Sequence, residues 1–285
     1  MPYLILFLFL SFNTCYAQTD TLKPTRLAFV GLASSSVMIG SYAYVKNSWW
    51  SDNAEDFHFD DGSDLRYAKN VDKASHFMGG LIVADIFTSS LKWSGLNEKK
   101  SYLYGAALGS FIQLSIEMKD AYAPYWGFSI YDFGAGTIGA IVPYAERYWK
   151  PMEYIDFKMS YYKRSNHYWD LTTAQKPDNP PSKYHYHDDY INQTYWLSVY
   201  PLKNVGSDIG LAFGFGLDES QYLDGKTKRG GKNEFYIALD YDLKRVLKRW
   251  NSPFAKKMKH WLNYIKIPAP TIRVAPELEF YPFFM

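Results

Sequence analysis

The sequence predicts an α+β chain: a bundle of about four apolar helices, then a β-rich part that carries one basic amphipathic helix. Three observations predict it. Long apolar stretches rich in Gly, Ala and Ser fill the chain as far as Trp149-Lys150-Pro151. Beyond that point apolar and polar residues alternate with period two. Finally, Lys244 to Lys266 holds eight Lys or Arg residues and no Asp or Glu.

The apolar stretches are Leu27–Val45, Phe77–Leu91, Ser101–Ile116 and Gly127–Tyr144, each with at most one charge. Their length favours helices over strands. They sit at or below the transmembrane minimum of roughly 17 to 25 residues, so core helices and short membrane-embedded helices both fit.

Five strands are expected in the second half, at Ile155–Tyr161, Thr194–Leu202, Ile209–Leu217, Phe235–Tyr241 and Ile272–Phe280. In the third, Ile209, Leu211, Phe213, Phe215 and Leu217 share one face, with Gly210, Ala212, Gly214 and Gly216 opposite. A lone outer-membrane barrel needs at least about eight strands, so an open sheet packed on helices is expected. Residues 169–189 read as a surface loop, with His185 and His187 in it. In the basic segment Phe254, Met258, Trp261, Leu262 and Ile265 fall at helical spacing, with Pro253 as a first-turn residue. Such a helix suits either an anionic membrane surface or a sheet-packed position with a solvated basic back.

Residues 1–17 read as a signal peptide, with an apolar run from Leu4 to Phe12 and Cys15-Tyr16-Ala17 at the cleavage position. Phe12-Asn13-Thr14 before Cys15 is a poor lipobox. Cleavage after Ala17 leaves no cysteine, which excludes disulfides, Cys–zinc sites and thiol nucleophiles. The expected divisions are 1–17, a bundle at 18–150 and a β-rich region at 151–285, in a chain exported to the cell envelope. A net charge of +2 provides no basic field, so no nucleic-acid partner is expected. The aromatic share of 19% suits interfaces and membrane boundaries, and a membrane or its surface is the expected partner.

The candidate site rests on spacing. Asp72 and His76 are four residues apart on one helix face, with Gly80 continuing the stripe. Gly105, Gly109, Gln113 and Glu117 also step by four, Asp120 follows by three, and Asp132, Gly136, Gly139 and Pro143 lie along one side of the next helix. Small residues let backbones approach closely. Short connections predict an up, down, up arrangement, which gathers Asp72, His76, Glu117, Asp120 and Asp132 at one end. His76, Glu117 and Asp120 are therefore the catalytic candidates, and Asp72, Lys73, Gln113 and Asp132 the binding candidates.

Asp72 and Asp132 suit helix N-termini. Glu117 and Asp120 sit where the helix dipole is negative, so Lys73, Lys119, a cation or a neighbouring helix N-terminus should offset them. One His with several carboxylates suits several divalent ions, yet no standard spacing such as His-Glu-x-x-His occurs, leaving metal and cofactor open. Asp85 lies on the other side of its helix from His76. Asp60-Asp61-Gly62-Ser63-Asp64 lacks the Glu that closes a calcium loop and reads as a turn.

Phe57-His58-Phe59-Asp60-Asp61, then Val71-Asp72-Lys73-Ala74-Ser75-His76, resembles a stretch of the DUF2279 family of predicted periplasmic lipoproteins. Ile116-Glu117-Met118-Lys119-Asp120 followed by Trp126-Gly127-Phe128-Ser129-Ile130-Tyr131-Asp132 is similar to that family's second block. A more distant likeness is to VanZ-like membrane proteins. The chain departs from the pattern at Asp120-Ala121, where Asp-Gly is expected, and at Ala135-Gly136, where Ala-Asn is usual. The resemblance implies an envelope location and the polar cluster, and no particular reaction. The leading expectation is a non-enzymatic, membrane-associated envelope protein. The alternative is an enzyme or lipid-headgroup binder, with His76 shuttling a proton to Glu117 or Asp120.

Overall fold

The four apolar stretches are helices: α1 (Pro24–Ser48), α2 (Val71–Trp93), α3 (Glu98–Asp120) and α4 (Ile130–Tyr148). The computed structural model describes residues 21–48, 55–124, 126–168, 170, 189–219 and 231–285. Residues 1–17, read above as a signal peptide with Cys15, and His185 and His187 lie outside the described residues. The chain forms two compact units. One comprises the chain to Asp60, His76–Tyr148 and Ser252–Lys257; the other comprises Asp61–Ser75, Trp149–Asn251 and Met258–Met285.

In the first unit the buried residues of α3 are Ser101, Gly105, Gly109, Gln113 and Glu117, a stripe with a step of four. A Cβ on Gly105 would run into the Thr88 hydroxyl and the Ala84 carbonyl, and one on Gly109 would meet both Ala84 and Ala140 at 3.0 Å. A Cβ on Gly136 would strike Gln113, and α2 meets α4 where Gly80 faces the Gly136 carbonyl and Gly139 the Phe77 carbonyl. Pairing Thr88 with Gly105 and His76 with Gln113 makes α2 and α3 antiparallel. Asn97 caps α3 by accepting from the Lys100 amide.

Met78, Leu81 and Leu91 of α2 are buried, but on α3, with glycine and polar groups inside, the large apolar residues go outside. Leu103, Tyr104, Leu108, Phe111 and Met118 of α3 are exposed, and so are Ile138 and Ile141 of α4. At the start of α1, the Lys23 amide donates to the Ser94 carbonyl at 2.8 Å, and the Arg26 guanidinium lies over Trp93.

In the second unit six antiparallel strands run in chain order: β1 (Ile155–Tyr161), β2 (Gln193–Val199), β3 (Ile209–Leu217), β4 (Asn233–Tyr241), β5 (Ala269–Ala275) and β6 (Glu279–Phe284). The last predicted run is two strands, because Pro276 removes a donor and the chain turns before Glu279. The basic segment is also divided: a short turn at Leu243–Val246, then α5 (Pro253–Leu262), whose Ala255 amide donates to the Ser252 hydroxyl.

The sheet keeps β1 and β6 as its end strands, as an open sheet does, but it is rolled. Met159 donates to the Tyr264 carbonyl and accepts from the Lys266 amide, so the free edge of β1 pairs with the segment leading into β5. The roll has an interior, where an aromatic cluster of Trp196, Tyr236 and Phe284 packs with Ala212 and Ala238 beside buried charges. Lys158, Asp240 and Lys266 are fully buried, with Lys158 Nζ 2.7 Å from Asp240 Oδ2 and Lys266 Nζ 3.6 Å from Oδ1. Tyr200 donates to the same carboxylate. Burial pushes the Lys266 ammonium below its usual pKa, Asp240 pulls it back up, and Lys158 pushes it down again. A second buried carboxylate, Glu234, is held by Arg164 at 2.5 Å and Arg273 at 3.0 Å. Gly210 and Gly214 make room for the rings of Tyr200 and Trp196.

Before α2 the backbone takes a left-handed turn at Ala68, Lys69 and Asn70 (φ 43°, 50° and 68°). Residues without glycine's freedom resist this by about 1–2 kcal/mol each. The turn is held from the sheet, because the Asn233 side-chain amide donates to the Lys69 carbonyl at 2.9 Å and Ala68 is buried.

Breaking a buried ion pair strands the remaining charge. Asp240→Asn removes the carboxylate that two buried ammonium groups share, and it is expected to cost about 3–5 kcal/mol of unfolding free energy in urea titration.

Candidate functional site

His76 stands in the first turns of α2 and faces the last turns of α3. Its Nδ1 donates to Gln113 Oε1 at 3.0 Å, which leaves the Nε2 edge for other work. Glu117 Oε1 lies 3.7 Å from Nδ1, and Asp132 Oδ2 lies 4.0 Å from Nε2. The two acids are buried, whereas the His76 side chain keeps 19% of its surface. Ligand atoms of His76, Glu117 and Asp132 lie within 4.8 Å of one another, close enough to converge on one cation after small side-chain movements.

The local fold explains why a carboxylate is tolerated at the C-terminal end of α3. Ser129 precedes α4; its hydroxyl accepts from the Asp132 amide at 3.1 Å and caps the helix. The Ser129 amide in turn donates to Glu117 Oε2 at 3.0 Å. Glu117 is therefore offset by the N-terminus of the neighbouring helix, one of the four possibilities that the sequence left open.

The α3–α4 connection is fixed by the Phe57-His58-Phe59 segment. The Phe128 amide donates to the His58 carbonyl at 3.0 Å, the Asp60 amide to the Phe128 carbonyl at 3.1 Å, and His58 Nε2 lies 3.2 Å from the Trp126 carbonyl. Phe57, Phe59 and Phe128 pack edge to face or tilted. Gly127 at φ 144° leaves the space that Asp60 occupies. The two sequence blocks of the resemblance are thus neighbours in space.

The structure brings together His76, Gln113, Glu117 and Asp132. Asp120 ends α3 half-buried, and its carbonyl accepts from the Ala123 amide. Asp72 and Lys73 fall in the second unit, where Lys73 pairs with Asp64 and, at 3.1 Å, with Asp72. Asp72 is buried, and Ser75 and Asp72 act on the buried Tyr195 hydroxyl of β2, which burial pushes up. Ser63 donates to Asp61 Oδ1, so this acidic stretch is a turn. Asp85 belongs to the far end of the bundle. There, burial first, then Asp85 and Glu98, push the Tyr102 hydroxyl up to about 12.

Sequence reasoning missed Ser129, Asp64 and the two charge groups inside the roll. Ser129 had a signal, the Ser-x-x-Asp spacing of a capping box. The charge groups had one as well, since Asp156, Lys158, Glu234, Asp240 and Arg273 occupy one parity of their strands.

Residues 59–146 match the family model of DUF2279, described as predicted periplasmic lipoprotein. The matched segment contains His76, Gln113, Glu117 and Asp132, and its description agrees with export to the cell envelope. No curated protein and no solved structure matches the chain.

Ser129→Ala removes one cap and leaves the Glu117 bond to the backbone intact. It is expected to lower unfolding free energy by about 1 kcal/mol. Glu117→Leu, which removes the carboxylate facing both His76 and the α4 N-terminus, is expected to cost about 2–3 kcal/mol in the same denaturation series.

Proposed function

We propose that this chain is a membrane-associated envelope protein, and that the His76–Gln113–Glu117–Asp132 group holds together a bundle whose outer surface meets lipid. The observation that carries this reading is the polarity of α3: Gly105, Gly109, Gln113 and Glu117 inside, Leu103, Leu108, Phe111 and Met118 outside. In water that arrangement wastes apolar area. Against acyl chains it is the favourable one, because polar groups find partners only within the protein. Among the described residues no helix is long and apolar enough to cross a membrane, so the association proposed is immersion of an apolar surface.

A second reading is favoured by the partial exposure of the His76 side chain beside two buried carboxylates. His76 Nε2 and the buried Asp132 and Glu117 carboxylates would hold a divalent cation or relay a proton, with Gln113 fixing the imidazole from Nδ1. In this reading the carboxylate partner is Asp132 or Glu117 ahead of Asp120.

Fractionation of cells followed by a carbonate wash tests the first reading. The chain is expected to stay with the membranes, and His76→Ala is expected to lower its abundance along with its melting temperature. Release into the wash, or recovery from the soluble periplasm, would contradict it. A stoichiometric divalent metal in the purified chain, lost in His76→Ala without loss of stability, would favour the second reading.

A further inference from the structure

The rolled sheet carries the same inversion as the bundle, and nothing in the reading of the helices requires that. Outward-facing partners across the strands form one apolar row: Phe157 on β1 pairs with Leu197, Leu197 with Phe213, Phe213 with Ile237, Ile237 with Ile272, and Ile272 with Phe280 on β6. From Leu197 onward all five are exposed, Phe213 by 48% and Phe280 by 63%. The inward parity of the same strands carries Lys158, Trp196, Tyr236 and Arg273 with their ion partners. A water-facing antiparallel sheet puts its apolar face on the core and its polar face out. This one buries ion pairs beside its aromatic cluster and still leaves the apolar row exposed.

We propose that the outer face of the rolled sheet docks into one leaflet of an anionic bilayer. Three observations select lipid as the occupant. The row offers hydrocarbon and no hydrogen-bonding group, which suits a non-directional apolar medium. Second, among the described residues the sheet has six strands, and spanning barrels start at about eight.

Third, the rim at one end is basic and aromatic. Beyond β4, Lys248, Arg249 and Trp250 are exposed. Arg245 ties that segment to the β2–β3 turn through the Lys203 carbonyl at 2.8 Å, where Leu202 and Val205 are also exposed. Trp at a headgroup boundary beside cations is the arrangement that anionic lipid attracts.

This inference rests on the membrane-associated reading, but on a different surface, and the two fail separately. The purified full chain is mixed with vesicles of phosphatidylglycerol and phosphatidylethanolamine, or of phosphatidylcholine alone, and floated on a density gradient. The wild-type chain is expected to float with anionic vesicles. Phe213→Glu with Ile237→Glu is expected to cut the bound fraction at least tenfold at an unchanged circular dichroism spectrum and melting temperature. The edge-strand variant Phe280→Glu serves if the double variant misfolds. Lys248→Glu with Arg249→Glu is expected to weaken binding to anionic vesicles only.

Undiminished flotation of the row variants would overturn the proposal and leave the bundle's own membrane contact standing. Failure of the wild-type chain to float would overturn it too. So would a detergent-free dimer that the row variants dissolve, since a second copy would then cover the face.

Discussion

Helix backbones touch in the first unit, and that contact decides which residues face where. Gly80, Gly105, Gly109, Gly136 and Gly139 occupy positions where a Cβ would press on a neighbouring helix. A face made of glycine cannot also hold the large apolar side chains, so they occupy the opposite face. Gln113 and Glu117 extend the same buried stripe and need partners there, because a buried polar group without one is costly. His76 and the Ser129 amide supply them. The polar group at the end of the bundle is therefore a consequence of close helix packing as much as a candidate for chemistry.

The second unit reaches the same inversion by β geometry. Gly210 and Gly214 face inward and leave space for Tyr200 and Trp196, while Leu211 and Phe213 point outward. Buried ion pairs in a water-soluble protein are often no better than apolar replacements. The roll nevertheless holds Lys158, Asp240 and Lys266 in its interior and leaves Phe213 and Ile237 outside. Two units with unrelated secondary structure thus share one pattern, large apolar side chains exposed and charged or polar groups buried.

Much of this was legible in the sequence, and the reasons are specific. Helix positions followed from apolar length, and the glycine steps at 105 and 109 pointed to the buried stripe of α3. The strands followed from alternation. What alternation cannot state is which parity faces inward, since Ile209 to Leu217 would read the same in a water-soluble sheet. The roll was also missed, because the Met159–Ile265 bridge joins segments more than a hundred residues apart and leaves no local signal. Asp120 was grouped with Glu117 by spacing. The contact that distinguishes them, Ser129 to Glu117, depends on how the α3–α4 connection is held by Phe57-His58-Phe59.

The central claim is that the outward apolar faces meet hydrocarbon. Cys15 is the only cysteine, so single spin labels can be placed at will once it is removed. Labels at Phe111 on α3 and Phe213 on β3, in chain reconstituted with anionic lipid, are to be compared with one at Lys248 for collision with oxygen and with a water-soluble nickel chelate. The account predicts that oxygen dominates at Phe111 and Phe213 and the chelate at Lys248. Chelate access at Phe111 and Phe213 equal to that at Lys248 would contradict it.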